Sequence, residues 1–291
     1  MPAKTRLNSV IGALENGRPA FLSFAEPELG VARALGASRY DGVVFDMEHY
    51  GYDAGVLRDC LQYMLDRKQI LARGNLSPGV TPLVRVPPNG SEMNQWIAKQ
   101  ALDSGVYGVI FPHITTVSEA ANAVASCRYP RPESAPHHYP AGVRGDGPRW
   151  AAAYWGITEL EYYAKADVWP LNPEGELSVI IMCEELRAIK NLPRMLQEVS
   201  GIAAVLIGEG DLSQDMGFPR QYDHPEVIAR KNDILAICKE HKVACGHPHV
   251  TLQNVDEIIE KGYRLLLPAP QLSFAALERG LSIVERSKHG A

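Results

Sequence analysis

The sequence predicts one (β/α)8 barrel, an α/β TIM barrel forming a single domain over residues 1–291. Three observations predict it. Short, nearly continuous apolar runs alternate with longer amphipathic stretches almost from end to end, eight such runs can be traced, and 291 residues suits one barrel of about 250 residues enlarged by insertions. Runs apolar on both faces imply a parallel sheet covered by helices. A doubly wound open sheet is the competing architecture. It is disfavoured because no G-x-G-x-x-G follows the first run and no G-x-x-x-x-G-K-[ST] occurs.

In chain order, strands are expected at 19–25, 42–46, 82–86, 107–111, 177–183, 203–207, 243–246 and 264–267. Helices are expected between them, among others at 91–104, 118–126, 186–199, 225–241 and 254–261. The helix from Pro225 opens with proline in its first turn and places Val227, Ile228, Ile234, Leu235 and Cys238 on one face, as an outer helix packed on a sheet should. The helix near 118 opens on a capping-box pattern, Thr116 to Glu119. Most of the 25 Gly and 21 Pro fall between apolar runs, where many short elements would turn.

Lys plus Arg at 29 against Asp plus Glu at 34 gives a net charge of −5, without the basic excess that nucleic-acid binding needs. No apolar run approaches the roughly 20 residues of a membrane helix. The start, MPAKTRLNSV, lacks a signal peptide's apolar core, so a cytoplasmic chain is expected. Five scattered cysteines with no C-x-x-C pair read as reduced core thiols.

In a barrel, chemistry sits just past the strand ends. Those positions hold Asp46-Met47-Glu48-His49, Arg85, Glu184-Glu185 and Gly208-Glu209-Gly210-Asp211. Neighbouring strands lie about 4.8 Å apart, so Glu184 and Asp211 would bring two carboxylates to one rim. Such a pair suits a hard divalent cation such as Mg²⁺ or Mn²⁺. The plain alternative is that one acid caps the next helix and the other is solvated. Arg85 is either an ion-pair partner for these acids or a fixed cation for a developing oxyanion. It precedes Pro87-Pro88-Asn89-Gly90, a run expected to stop the strand in a turn. Asp46 can set the tautomer of His49 three residues on. The internal lysines (Lys68, Lys99, Lys165, Lys190, Lys231, Lys239, Lys242, Lys261) all fall in expected helices or connections, none at a strand end. This favours a metal-stabilised enolate of a 2-oxo acid over a Schiff base. The glycines of Gly208-Glu209-Gly210-Asp211 let backbone N–H groups approach a bound carboxylate.

Five ordered motifs carry a resemblance over roughly residues 8–285: Val44-Phe45-Asp46-Met47-Glu48-His49; Val84-Arg85-Val86-Pro87; Gly142-Val143-Arg144-Gly145; the strand leading to Glu184; and Ile207-Gly208-Glu209-Gly210-Asp211-Leu212-Ser213 followed by Met216-Gly217. In order and spacing they resemble the HpcH/HpaI aldolase family of class II pyruvate aldolases. The resemblance implies a barrel whose last helix is exchanged between subunits of a hexamer built from trimers. It implies Glu184 and Asp211 as ligands of a divalent metal (Mg²⁺, Mn²⁺ or Co²⁺), Arg85 on the keto or enolate oxygen, and His49 with Asp46 as a base dyad. Gly210 and Asp211 would hold the pyruvate carboxylate through their amides, and Asp103 would reach a neighbouring subunit's site. The implied reaction forms or cleaves a 4-hydroxy-2-oxo acid from pyruvate and an aldehyde. Oxaloacetate decarboxylation or a coupled addition through the same enolate is one alternative, and a non-catalytic 2-oxo acid binder is another.

The chain departs from the family's pattern at Met182, where Gln is usual two places before the metal glutamate, at Glu209 in place of Pro, and at Met47 in place of Gly. Segments 67–80 and 130–140 read as insertions that either cover the mouth or form solvated turns. His137, His138, His247 and His249 are further mouth candidates. The aromatic set Trp150, Tyr154, Trp155, Tyr162, Tyr163 and Trp169 would line an aldehyde pocket or, as large aromatics more usually do, form core or subunit contacts.

Overall fold

The computed structural model describes residues 6–87, 92–268 and 274–289, the stretch 286–289 as backbone only. Nine parallel strands follow one another: β1 (Ala20–Ala25), β2 (Gly42–Asp46), β3 (Thr81–Arg85), β4 (Gly108–Phe111), β5 (Val168–Trp169), β6 (Leu177–Cys183), β7 (Ala204–Ile207), β8 (Ala244–Val250) and β9 (Leu265–Pro268). Pairing of β1 with β9 and of β4 with β6 closes eight of them into a barrel. The two-residue β5 adds to the start of β6 from outside the ring. The expected strands are found within one or two residues, except that β8 runs on to Val250 through an irregular register after His247.

The period of two explains how these apolar runs divide. Leu22, Val44, Leu83, Ile110, Ile180, Met182, Leu206, Leu265 and Leu267 form one buried cluster inside the barrel. Their neighbours Phe21, Val43, Phe45, Val84, Val109, Ile181 and Ile207 join the larger cluster under the surrounding helices. Helix Ser9–Glu15 plugs the end where strands begin, sending Val10 and Ala13 into the inner cluster. Asn8 fastens that plug. Its Oδ1 accepts from the N–H groups of Val10 and Ile11 at 3.0 and 3.2 Å, and its Nδ2 donates to Tyr107 O, Glu176 O and Ser178 Oγ at 3.0–3.1 Å.

Helix Val117–Ser126 carries the expected capping box between Thr116 and Glu119. Helix Pro225–Glu240 buries Val227, Ile234, Leu235 and Cys238, but Ile228 is exposed and Lys231 takes a buried place instead. The helix expected at 91–104 spans Gln95–Ser104, and residues 88–91, with most of the expected turn after Pro87, lie outside the described residues. All five cysteines are buried free thiols.

Both insertions differ in position from what a lid requires. Each lies between a helix and the following strand, the connection that crosses the barrel end opposite the mouth. Segment 67–80 opens as the exposed helix Arg67–Arg73. Segment 130–140 is drawn down by the buried Arg128, whose guanidinium donates to the carbonyls of His137, His138 and Pro140 and to Asp167, next to the start of β6. His137 and His138 are therefore remote from the strand ends. Of the aromatic set, Trp155 stacks on Tyr107 with ring centroids 4.2 Å apart, and Tyr162 and Tyr154 are buried beside them, so these three are core. Trp150 is exposed on the outer surface.

The last helix, Ala275–His289, lies on its own barrel, with Gly280 against the Phe21 ring and Arg279 paired with Asp256. Gly280 allows this approach, because a Cβ there would stand 2.5 Å from Phe21. Among the described residues no helix is long and apolar enough to cross a membrane.

Candidate active site

Strand parity builds the mouth. Two residues beyond each inward-facing apolar side chain the chain reaches the rim, still pointing inward: Asp46 beyond Val44, Arg85 beyond Leu83, Glu184 beyond Met182, and Gly208 beyond Leu206. Asp46, Arg85 and Gly208 line a cavity of about 580 Å³ together with Phe24, His49, Met182, Gly210, Asp211, Arg220, Tyr222 and His249, and Glu184 is buried behind Gly208. No lysine lines it. None of the aromatic set does either, nor does Asp103.

Asp46 and Arg85 face each other in register across β2 and β3. The guanidinium donates from Nε to Asp46 Oδ1 at 2.9 Å and from Nη2 to Oδ2 at 2.6 Å, a two-pronged ion pair. Its Nη1 lies 2.9 Å from Glu48 Oε2, and its plane sits 4.6 Å from the Phe24 ring centroid. Asp46 is thus committed to Arg85. His49 stands instead beside Glu48, Nε2 to Oε2 3.6 Å, with its side chain 65% exposed. The expected Asp46–His49 contact is not formed, because the arginine takes both carboxylate oxygens. Burial pushes the Glu48 carboxyl above its ordinary pKa, with Arg85 opposing.

Glu184 is buried, and burial raises its carboxyl to a pKa of about 7; the His113 N–H bond works against this while the charges of Asp211 and Glu48 add to it. That N–H donates to Oε1 at 2.6 Å. His113 itself, just past β4, has a positive φ of 55° and places its ring between Glu185 (3.2 Å), Glu184 (3.7 Å) and Glu48 (3.9 Å). Glycine is required at 208, where a Cβ would stand 2.2 Å from Glu184 Oε2.

After β7 the chain turns directly into helix Glu209–Asp215. Asp211 is exposed to the cavity, and Gly210 has open space where a side chain would project. Glu209 is turned inward and neutralised. It accepts from Lys231 Nζ at 2.8 Å and pairs with His249 Nδ1 at 2.6 Å. Burial alone would raise its carboxyl, but the His249 hydrogen bond and Lys231 outweigh it and hold the pKa below the usual value. The charge that Glu209 brings beside the site in place of proline is therefore balanced from within. His247 is turned away, packed edge-on against Tyr263. Asp103, on helix Gln95–Ser104, pairs with Lys99 at 3.0 Å and Arg144 at 2.8 Å, away from its own chain's cavity.

Among the described residues no group of three or more His, Cys, Asp or Glu side chains is arranged to hold a metal ion. Glu184 lies against Gly208 and Asp211 follows three residues on, and the charge of Asp211 adds to the upward push that burial gives the Glu184 carboxyl. Two carboxylate donors, one buried and carrying only one hydrogen bond, fit a hard divalent ion that takes its other ligands from water and substrate.

Sequence reading named Asp46, His49, Arg85, Glu184, Gly210 and Asp211, and all six line or adjoin this one mouth. It passed over His113, although His113 follows a strand end as the others do. It left Glu48 and Glu185 without a role. Arg220, Tyr222 and Lys231 come from the connection and helix after Asp211, where no strand-end signal points.

The family profile described as HpcH/HpaI aldolase/citrate lyase matches residues 20–267, a span that runs from β1 almost to the end of β9 and encloses Asp46, His49, Arg85, Glu184, Gly210 and Asp211. The chain is 29% identical over 242 residues to a 4-hydroxy-2-oxo-heptane-1,7-dioate aldolase of Escherichia coli, covering 80% of each chain. It is 26% identical over 293 residues to a hydroxypyruvate/pyruvate aldolase of Roseobacter denitrificans, covering all of both. A solved HpcH/HpaI aldolase/citrate lyase family protein from Burkholderia cenocepacia superposes with a TM-score of 0.74 at 26% identity, over 97% of this chain and 100% of that one. With nearly the whole barrel and its rim acids and Arg85 inside the matched span, the chain belongs to the HpcH/HpaI aldolase/citrate lyase family.

Proposed function

We propose that the chain is a metal-dependent class II pyruvate aldolase, a carbon–carbon lyase that forms or cleaves a 4-hydroxy-2-oxo acid through the enolate of pyruvate. The observation that carries this reading is that the Asp46-anchored Arg85 and Asp211 line one cavity, with the buried Glu184 directly behind Gly208 of its wall. A divalent ion (Mg²⁺, Mn²⁺ or Co²⁺) held by Glu184 and Asp211 would supply Lewis-acid polarisation of the keto group.

Arg85, fixed by Asp46, places a permanent positive charge where negative charge develops on the keto oxygen. The open backbone at Gly210 and Asp211 receives the substrate carboxylate. His49 takes a proton from the pyruvate methyl group, its ring beside Glu48, and the enolate carbon then bonds to the aldehyde carbon while the new alkoxide recovers a proton; cleavage reverses these steps. Met182 leaves the cavity floor apolar where a polar contact is usual.

The reading extends to a homohexamer built from trimers, with the last helix exchanged and Asp103 serving a neighbouring subunit. It is supported by the position of Asp103 away from its own mouth. The five buried free thiols support a cytoplasmic location. Pyruvate released from a 4-hydroxy-2-oxo acid, measured with and without added divalent metal, tests the reading: metal-stimulated release supports it, and its absence with every metal overturns it.

A further inference from the structure

Beyond the pyruvate side, the outer wall of the cavity has its own architecture. Arg220 holds a positive φ of 64°, and its backbone N–H donates to the buried Ser213 Oγ at 3.2 Å. The same hydroxyl donates to Gly210 O at 2.8 Å, tying the arginine's backbone to the turn at the cavity floor. From there Arg220 Nη1 reaches Tyr222 Oη at 3.4 Å, and Tyr222 stacks on the His249 ring, centroids 5.4 Å apart and 13° from parallel. His249 is fixed in turn by Glu209, whose other carboxylate oxygen accepts from Lys231. This wall is anchored at both ends.

Charge bookkeeping singles out one member. Asp46 is neutralised by Arg85, and Glu209 by Lys231 and His249. Among the described residues, Arg220 makes no ion pair, although it lines the same cavity as Arg85 and Asp211. A guanidinium fork beside a phenol hydroxyl, facing a cavity whose buried acids are already paired, suits a carboxylate or phosphate.

We propose that Arg220, with Tyr222 and His249, forms a subsite for an anionic group at the far end of the aldehyde partner, making Arg220 a specificity-determining residue. This rests on the aldolase reading. In that reading the pyruvate carboxylate is received at Gly210 and Asp211, so Arg220 is left for the second substrate.

The test uses the full-length wild type, Arg220→Gln and Arg220→Lys with two matched aldehyde pairs, 4-oxobutanoate against butanal and glyceraldehyde 3-phosphate against glyceraldehyde. The readout is the ratio of kcat/KM for the charged member to that for the neutral one. The ratio should favour the charged aldehyde in the wild type, fall about tenfold or more in Arg220→Gln, chiefly through KM, and recover partly in Arg220→Lys. The pair that responds tells carboxylate from phosphate. A ratio unchanged by Arg220→Gln for both pairs overturns the subsite. Deuterium exchange of the pyruvate methyl group, run on the wild type without aldehyde, separates the two failures. Exchange with an unchanged ratio overturns only the subsite, whereas no exchange with any metal overturns the aldolase reading and the subsite with it.

Discussion

Asp46 receives both Nε and Nη2 of Arg85 across two adjacent strands whose Cα atoms are in register. The pair turns a flexible side chain into a fixed one. It also explains why His49, sequence neighbour of Asp46, finds Glu48 instead. An ion pair of this geometry orients the remaining guanidinium N–H groups toward Glu48 and the cavity, so the acid acts through the arginine.

Arg85→Lys keeps the charge but not the fork. We expect kcat for aldol cleavage to fall about 10²–10³-fold, the scale on which one preorganised oxyanion donor acts. Steady-state kinetics checks it. Asp46→Asn should follow Arg85→Lys in direction, and additive losses in the double variant would contradict their acting as one unit.

Gly208 and Gly210 make a paired prediction. A Cβ at 208 meets Glu184 Oε2 at 2.2 Å, whereas one at 210 meets nothing within 4 Å. Gly208→Ala should displace Glu184 and weaken divalent-metal affinity about tenfold or more, read by titration calorimetry. Gly210→Ala should fold with unchanged thermal stability. Equal metal affinity in Gly208→Ala and the wild type would remove Glu184 from the metal site.

Asn8→Ala removes a helix cap and takes the Asn8 amide donor from the buried carbonyl of Glu176, while that of Tyr107 keeps the Ser178 N–H. The expected cost is about 2–4 kcal/mol in denaturant unfolding. A loss below about 1 kcal/mol, the size of a cap alone, would mean that water replaces the side chain.

Asp167 links stability to acid. Burial alone would raise its carboxyl, but the hydrogen bond and charge of Arg128, with Arg131 behind, hold its folded-state pKa below the ordinary value. A depressed folded pKa contributes stability above the unfolded carboxylate value of about 3.9 and loses it as pH falls through the folded value. Asp167→Asn should therefore be less stable than wild type at neutral pH, and the gap should narrow below about pH 4. Thermal melts across pH check this; a gap constant with pH would contradict it.

The barrel was legible because its strands are apolar on both faces, and that pattern locates a strand whichever way its side chains point. The mouth was legible where function sits at a strand end, as with Asp46, Arg85 and Glu184. Other features depend on contacts between segments distant in sequence. Lys231 reads as an outer-helix lysine and yet reaches Glu209, 22 residues back. Segment 130–140 reads as either a cover for the mouth or a solvated turn, and only Arg128, bonded both to its carbonyls and to Asp167, places it at the closed end. The partner of His49 followed from a competition that spacing cannot settle, since Arg85 claims Asp46 from the next strand.

The central claim is that Glu184 and Asp211 hold a cation that promotes enolisation of a bound 2-oxo acid. Its most direct test is the exchange of pyruvate methyl protons in deuterated water, with and without Mg²⁺, Mn²⁺ or Co²⁺, for the wild type, Glu184→Ala, Asp211→Ala and His49→Ala. The account predicts metal-stimulated exchange in the wild type, abolished by either carboxylate substitution, and strongly reduced in His49→Ala while metal binding persists. Exchange at the wild-type rate in Glu184→Ala or Asp211→Ala would contradict it.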